Sequence, residues 1–268
     1  MSVGAFPLRV ARRPRAFLRV AGPDAASFLQ RLVSNDVEAL APGASCEALL
    51  LTPKARVIAP LRILRRSGDD FLVLTEPELG ERVQRELTRF RLAAKATIEP
   101  EQHESLLVVG GEPPEGALPN ADYGVPAYEL LDGDPPAGAE PAAEDELELL
   151  RIEARAPRWG RDLDERVLPA EAGLVERAIS FTKGCYPGQE PVARLHYRGH
   201  ANRTLRVLDL DGEELPAYDA EVRLGERAVG RVTSAVAAGA GVRALAYVRT
   251  DVPDGAELTV DGRPARLH

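Results

Sequence analysis

The chain has 268 residues, 44% apolar and 28% charged, and carries a net charge of −8. That balance describes a globular protein with a substantial core in two or three subdomains, and it excludes a disordered or low-complexity chain. The acidic charge excludes broad electrostatic binding to nucleic acid or anionic membrane, although arginines can still cluster on one face, and it points to a small molecule or a protein as partner.

Residues 15–20 are strand-like and run into Gly22-Pro23-Asp24, a helix-start signal, after which Phe28, Leu29, Leu32 and Val33 share one helical face. Three apolar segments, 47–51, 56–64 and 71–74, follow with turns at Thr52-Pro53-Lys54 and Ser67-Gly68-Asp69, which predicts a β-meander. After Pro77, Leu79, Val83, Leu87 and Phe90 recur at helical spacing, and strand-like runs at 96–98 and 106–109 come next. Strands and helices without strict alternation predict an α+β class.

From 110 to 143 the composition shifts to Pro, Gly, Ala and acids around one strand-like run at 125–131, which predicts an excursion or linker and not a core. Residues 144–154 form an amphipathic helix ended by Pro157. Short runs at 205–210, 222–224, 228–236, 244–248 and 258–260, separated by Gly or Asp turns, predict a small β-barrel. The expected units are therefore 1–109, 110–200 with the excursion, and 201–268. No apolar run nears the roughly 20 residues of a membrane span, no secretory-type segment is evident, and two cysteines build no disulfide framework, so a cytoplasmic location is expected.

The stretch richest in chemical information is Lys183-Gly184-Cys185-Tyr186-Pro187-Gly188-Gln189-Glu190. Two glycines and a proline force a tight, exposed backbone around a thiol. Only three lysines stand against 31 arginines, and Lys183, two residues from the sulfur, would favour the thiolate. A helix-capping turn accounts for the glycines and Glu190 but not for the thiol. Cys185 with His196 and His200 could supply three zinc ligands, yet Gly199 interrupts the segment and no fourth ligand is near, so no metal is expected. A cysteine–histidine dyad lacks an orienting acid in recognisable order. Cys46 lies in an apolar strand, where a buried thiol is ordinary.

The octapeptide resembles the signature of the YgfZ-type folate-binding proteins, which act in iron–sulfur protein maturation and resemble the T-protein (aminomethyltransferase) of the glycine cleavage system. Weaker matches span the chain: residues 24–30 with Ser34-Asn35-Asp36-Val37; Leu51-Thr52-Pro53-Lys54; Arg151-Ile152-Glu153-Ala154 with Trp159-Gly160-x-Asp162; Pro169-x-Glu171-Ala172-Gly173-Leu174; and Gly230-x-Val232-Thr233-Ser234.

The resemblance implies two ferredoxin-like α+β subdomains and a C-terminal barrel around a folate-sized opening, with tetrahydrofolate as ligand. By position it makes Glu171 the pterin carboxylate and Arg203 a folate-contacting arginine, with Arg194 and Gln189 as further contacts, and Cys185 with Lys183 as the working group. Glu171 reads equally well as a first-turn helix acid, and Arg203 as a surface ion-pair partner. Implied partners are iron–sulfur client or assembly proteins, tRNA-modifying enzymes among them, with no direct nucleic-acid or membrane binding. The transferase carries an acid in the strand after the Thr-Pro turn, whereas this chain reads Val57-Ile58-Ala59-Pro60-Leu61. Aminomethyl transfer is the alternative function, and it lacks its acid–base partner here. The turn glycine of that family is replaced by Ala55.

Overall fold

The computed structural model describes residues 6–268. In chain order its elements are β1 (Arg9–Arg12), β2 (Ala16–Ala21), α1 (Ala25–Gln30), β3 (Ser45–Leu51), β4 (Val57–Ser67), β5 (Asp70–Thr75), α2 (Gly80–Phe90), β6 (Thr97–Glu101), β7 (Ser105–Val109), β8 (Leu118–Pro119), β9 (Ala127–Leu131) and β10 (Glu140–Pro141). These are followed by α3 (Glu144–Glu153), α4 (Val175–Ala178), α5 (Gln189–Arg198), β11 (Arg203–Asp211), β12 (Glu221–Leu224), β13 (Arg227–Ala238), β14 (Gly241–Arg249), β15 (Leu258–Val260) and β16 (Arg263–Leu267). No helix among the described residues is long and apolar enough to cross a membrane.

The first sheet has the order β3-β4-β5-β2-β6, with the meander at its heart. Alternation along β5 shows why its run is apolar throughout: Phe71 and Val73 face α1 and α2, meeting Phe28, Leu29, Val83 and Leu87, while Leu72 and Leu74 face the opposite way toward Phe17 and Leu118. Burial of one such side chain contributes about 1.5–3 kcal/mol. Phe90 departs from the expected helical stripe. At the end of α2 it is 45% exposed, with the Arg89 guanidinium over its ring.

The second sheet, β10-β1-β7-β9-β8, corrects two sequence expectations. The 110–143 stretch is no mere linker: it supplies three of the five strands and buries Leu118, Tyr123 and Ala127. Its strands are short and flanked by Pro and Gly, so no alternation is long enough to read. The boundary at 109 also cuts this sheet, because β1 and β7 come from the N-terminal segment and pair with each other, while β1 also pairs with β10 and β7 with β9. Arg15 fastens the two sheets, reaching fully buried Glu129 on β9 (Nε to Oε2, 3.1 Å) and Glu76 beyond β5 (2.7 Å). Burial alone would raise the Glu129 carboxyl; the charge and hydrogen bonds of Arg15, with the charges of Arg62 and Arg13, together outweigh it and hold the group below its usual range.

The third unit is a closed barrel, β11-β14-β13-β12-β15-β16, with its own core of Leu208, Val222, Val232, Val242 and Val260. The β13–β14 register shifts between Val232 and Ser234. Such a bulge lets neighbouring side chains face one way, and here Thr233 and Ser234 both reach the carboxylate of Asp162, outside the barrel.

Candidate functional site

The octapeptide is an exposed thiol between two buried anchors. Lys183 and Tyr186 are buried, whereas Gly184 and Cys185 are exposed. The Lys183 ammonium donates to the carbonyls of Gln30 (2.6 Å), Val33 (2.6 Å) and Asn35 (2.9 Å), at and just beyond the end of α1, and it lies over the Tyr186 ring at 5.2 Å. Burial draws the ammonium down to about 8. The three carbonyls work against this, since only the charged form has three donors to give them.

The sequence reading of Lys183 as a thiolate stabiliser for Cys185 is thereby corrected: the ammonium is committed to α1, and the carboxylates acting on it are Asp36 and Glu38. Cys46, half-buried on β3, has its thiol pushed up to about 12 by burial. Tyr186 likewise rises to about 12 through burial, and its hydroxyl has no partner among the described residues.

Gly188 precedes α5 with φ of +85°, and a Cβ there would lie 2.6 Å from the Thr52 carbonyl oxygen and 3.1 Å from Ala55 Cα. The signature turn therefore docks on the Thr52–Ala55 turn. Ala55, where the family pattern has glycine, still adopts the left-handed conformation (φ 59°), at a cost of roughly 1–2 kcal/mol. Gly184 has no such constraint: a Cβ there meets nothing within 4 Å. His196 stacks on Phe181 (4.2 Å, 21°), and no group of three His, Cys, Asp or Glu side chains among the described residues converges for a metal.

Glu171 and Arg203, read separately from the sequence, are brought together. Arg203 Nε donates to Glu171 Oε1 at 3.0 Å, Leu168 N donates to Oε2 at 2.9 Å, and Arg56 stands 4.0 Å from Oε2. The Arg203 guanidinium also covers the Tyr247 ring at 5.1 Å. The turn carrying Glu171 separates two cavities. One, of about 650 Å³, is lined by Glu171, Leu174, Arg177 and Arg206. The other, of about 550 Å³, is lined by Lys54, Arg56, Arg194 and Arg198, and Ala170 and Gly173 belong to both walls. Both fall in the roughly 300–1,000 Å³ range of ligand pockets. The cleft between the first sheet and residues 157–178 encloses only about 60 Å³, so folate-sized room lies beside Glu171 and not against β4. Gln189 heads α5 but lines neither large cavity.

A buried junction beneath the site unites three motifs. Asp162 accepts from Arg151 Nη1 (2.8 Å), Arg158 N (3.0 Å), Ser234 Oγ (2.9 Å) and the Thr233 hydroxyl, while its carbonyl accepts from the Tyr247 hydroxyl (2.7 Å). Gly230 permits the strand contact this needs, since a Cβ there would sit 2.3 Å from the Tyr247 carbonyl oxygen.

Comparisons with known proteins fit this architecture. Residues 202–268 match the family described as CAF17, C-terminal beta-barrel domain. The "tRNA-modifying protein YgfZ" of Edwardsiella ictaluri is 31% identical over 281 aligned residues, covering 91% of this chain and 85% of that protein. The chain belongs to the YgfZ family. The Escherichia coli YgfZ protein is 30% identical over 257 residues, covering 82% and 78% of the two chains. Among solved structures, the glycine cleavage system aminomethyltransferase T from Bartonella henselae superposes with a TM-score of 0.81 at 17% identity, covering 98% of this chain and 86% of that one. At that identity the likeness concerns the fold alone.

Two features of this YgfZ-family chain were not found from its sequence. The basic cavity joins Lys54 to Arg194 and Arg198, and the rarity of lysine was a signal at Lys54 as much as at Lys183. Asp162 was visible only as part of a weak motif.

Proposed function

We propose that this chain is a tetrahydrofolate-binding accessory factor in the maturation or repair of iron–sulfur proteins, tRNA-modifying enzymes included, and that Cys185 is the group it offers to its client. The observation carrying this reading is the presentation of the thiol. Lys183 and Tyr186 are buried on either side, Gly188 is wedged on the Thr52–Ala55 turn, and Cys185 alone among them is a reactive group facing outward. A core packing role would place the sulfur inside, as for Cys46. The relatives named tRNA-modifying proteins agree with a client of that kind.

The donor set beside Glu171 fits a folate. An ionised carboxylate has about four acceptor sites, and the hydrogen bonds from Arg203 and Leu168 N occupy one on each oxygen, leaving capacity for the N–C–N donor edge of a pterin. Arg203 holds the carboxylate in place and adds positive charge for a glutamate tail. Bound tetrahydrofolate would supply a carrier for one-carbon units. The aminomethyltransferase alternative is weakened by β4, where Ala59 and Pro60 present no carboxylate; the acids that do face that cleft, Glu47, Glu76 and Asp122, are each paired with an arginine, Glu47 with Arg177 at 2.6 Å.

The test is a calorimetric titration of tetrahydrofolate into the purified chain and its Glu171→Ala variant, together with complementation of a strain lacking the protein by wild type and Cys185→Ala. Micromolar binding lost in the first variant and failed complementation by the second are expected. Full rescue by Cys185→Ala would remove the thiol from the function.

A further inference from the structure

The 550 Å³ cavity is a local reversal of the molecule's charge. Lys54, Arg56, Arg194 and Arg198 line it against one carboxylate, Glu176, in a chain of net charge −8. Most arginines here are paired, yet among the described residues the side chains of Lys54, Arg194 and Arg198 make no ion pair or hydrogen bond, and Arg56 reaches only the Arg166 carbonyl and, at 4.0 Å, Glu171. Three positive charges are left uncompensated, two on α5 and one on the Thr52–Ala55 turn, around one concave space. Such convergence concentrates an anion locally even where the whole chain repels it.

We infer that this cavity receives the negatively charged tail of the folate and selects tetrahydrofolates carrying several γ-linked glutamates over the monoglutamate. This inference rests on the folate reading above. The cavity shares the wall residues Ala170 and Gly173 with the one that Glu171 lines, and Arg56 connects the two by standing 4.0 Å from Glu171 Oε2. A single glutamate brings two carboxylates, fewer than the cations available. Each further residue adds one carboxylate, and an open, hydrated cavity admits a chain of variable length. Because the cations are partly solvated, the selectivity should be moderate and should weaken with salt.

Calorimetry with tetrahydrofolate monoglutamate and pentaglutamate, at about 30 and 300 mM salt, tests this on wild type and on the Lys54→Gln/Arg198→Gln double variant, with melting curves to check folding. The pentaglutamate is expected to bind roughly five- to tenfold more tightly at low salt, a preference that shrinks at high salt and disappears in the double variant, which loses more affinity for the pentaglutamate than for the monoglutamate. Equal affinity for the two ligands in wild type would overturn the inference and leave the folate reading standing. A failure of both to bind would overturn the folate reading and this inference together.

Discussion

Glu171 and Arg203, 32 residues apart in sequence, form one hydrogen-bonded ion pair at 3.0 Å, and the Leu205 amide adds a second tie to the Glu171 carbonyl at 2.9 Å. The start of the barrel is thereby fastened to the turn between the two large cavities. A ligand that contacts Glu171 therefore meets a carboxylate whose position is already set.

Glu171→Gln should weaken tetrahydrofolate binding by about 1–3 kcal/mol by removing a charge-assisted pair, and should lower stability by about 1 kcal/mol because Arg203 loses its partner. Arg203→Gln should lower stability similarly. Calorimetry and urea denaturation separate the two effects. Unchanged affinity in Glu171→Gln would take this residue out of the ligand site.

Under native conditions iodoacetamide should label one thiol per chain, at Cys185, with Cys46 modified only after unfolding. Half-burial and a thiol held near 12 protect Cys46. Peptide mass mapping reads the result, and prompt native labelling of Cys46 would contradict the packing described for β3.

The two glycines of the octapeptide should behave oppositely. Gly188→Ala meets backbone at 2.6 Å in a left-handed conformation and should cost upward of about 2 kcal/mol, while Gly184→Ala should stay within about 0.5 kcal/mol. Thermal denaturation of both variants decides the point; equal losses would mean that the turn does not dock on Thr52–Ala55.

Stability should also depend on pH through His103, which bonds Asp132 (2.5 Å) and Glu101 (2.9 Å). Burial lowers the imidazole, but the hydrogen bonds to the two acids outweigh it and raise it above its ordinary value, so its contribution is complete below about 6.5 and fades as pH rises through the folded value. Glu101, drawn down to about 2 chiefly by its hydrogen bond with Arg66, contributes above about 4.5 and loses its effect as pH falls toward 2. Urea midpoints at pH 6 and pH 8 should differ less in His103→Gln than in wild type; an identical difference would show that the imidazole is uncoupled from folding.

The long strands of the first sheet and the barrel, β2 to β5, β11, β13 and β14, were legible because each buries at least one face along six or more residues, long enough for alternation to register. β12 and β15 were marked only by the turns around them, and β16, with Ala265 its one buried residue, was not read. β1, β8 and β10 were not, since two to four residues flanked by proline and glycine carry no period. The octapeptide could be seen as unusual, yet the direction of Lys183 could not, because its three acceptors lie about 150 residues earlier in the chain. Glu171 and Arg203 were each selected by position, and only the closure of the barrel against residues 168–174 shows that they belong to a single unit.

Asp162 gives the barrel a dependence that its closed strand order conceals. The hydroxyls of Thr233 and Ser234, aligned by the bulge, end on a carboxylate supplied by the preceding segment, and the Tyr247 hydroxyl ends on the carbonyl of the same residue. Cut at residue 202, the barrel would keep all six strands while exposing three polar groups and the ring of Tyr247 that now lie buried. Where the sequence family begins is therefore not where the folding unit begins, and a barrel transplanted without the Arg151–Asp162 segment would arrive with its keystone missing.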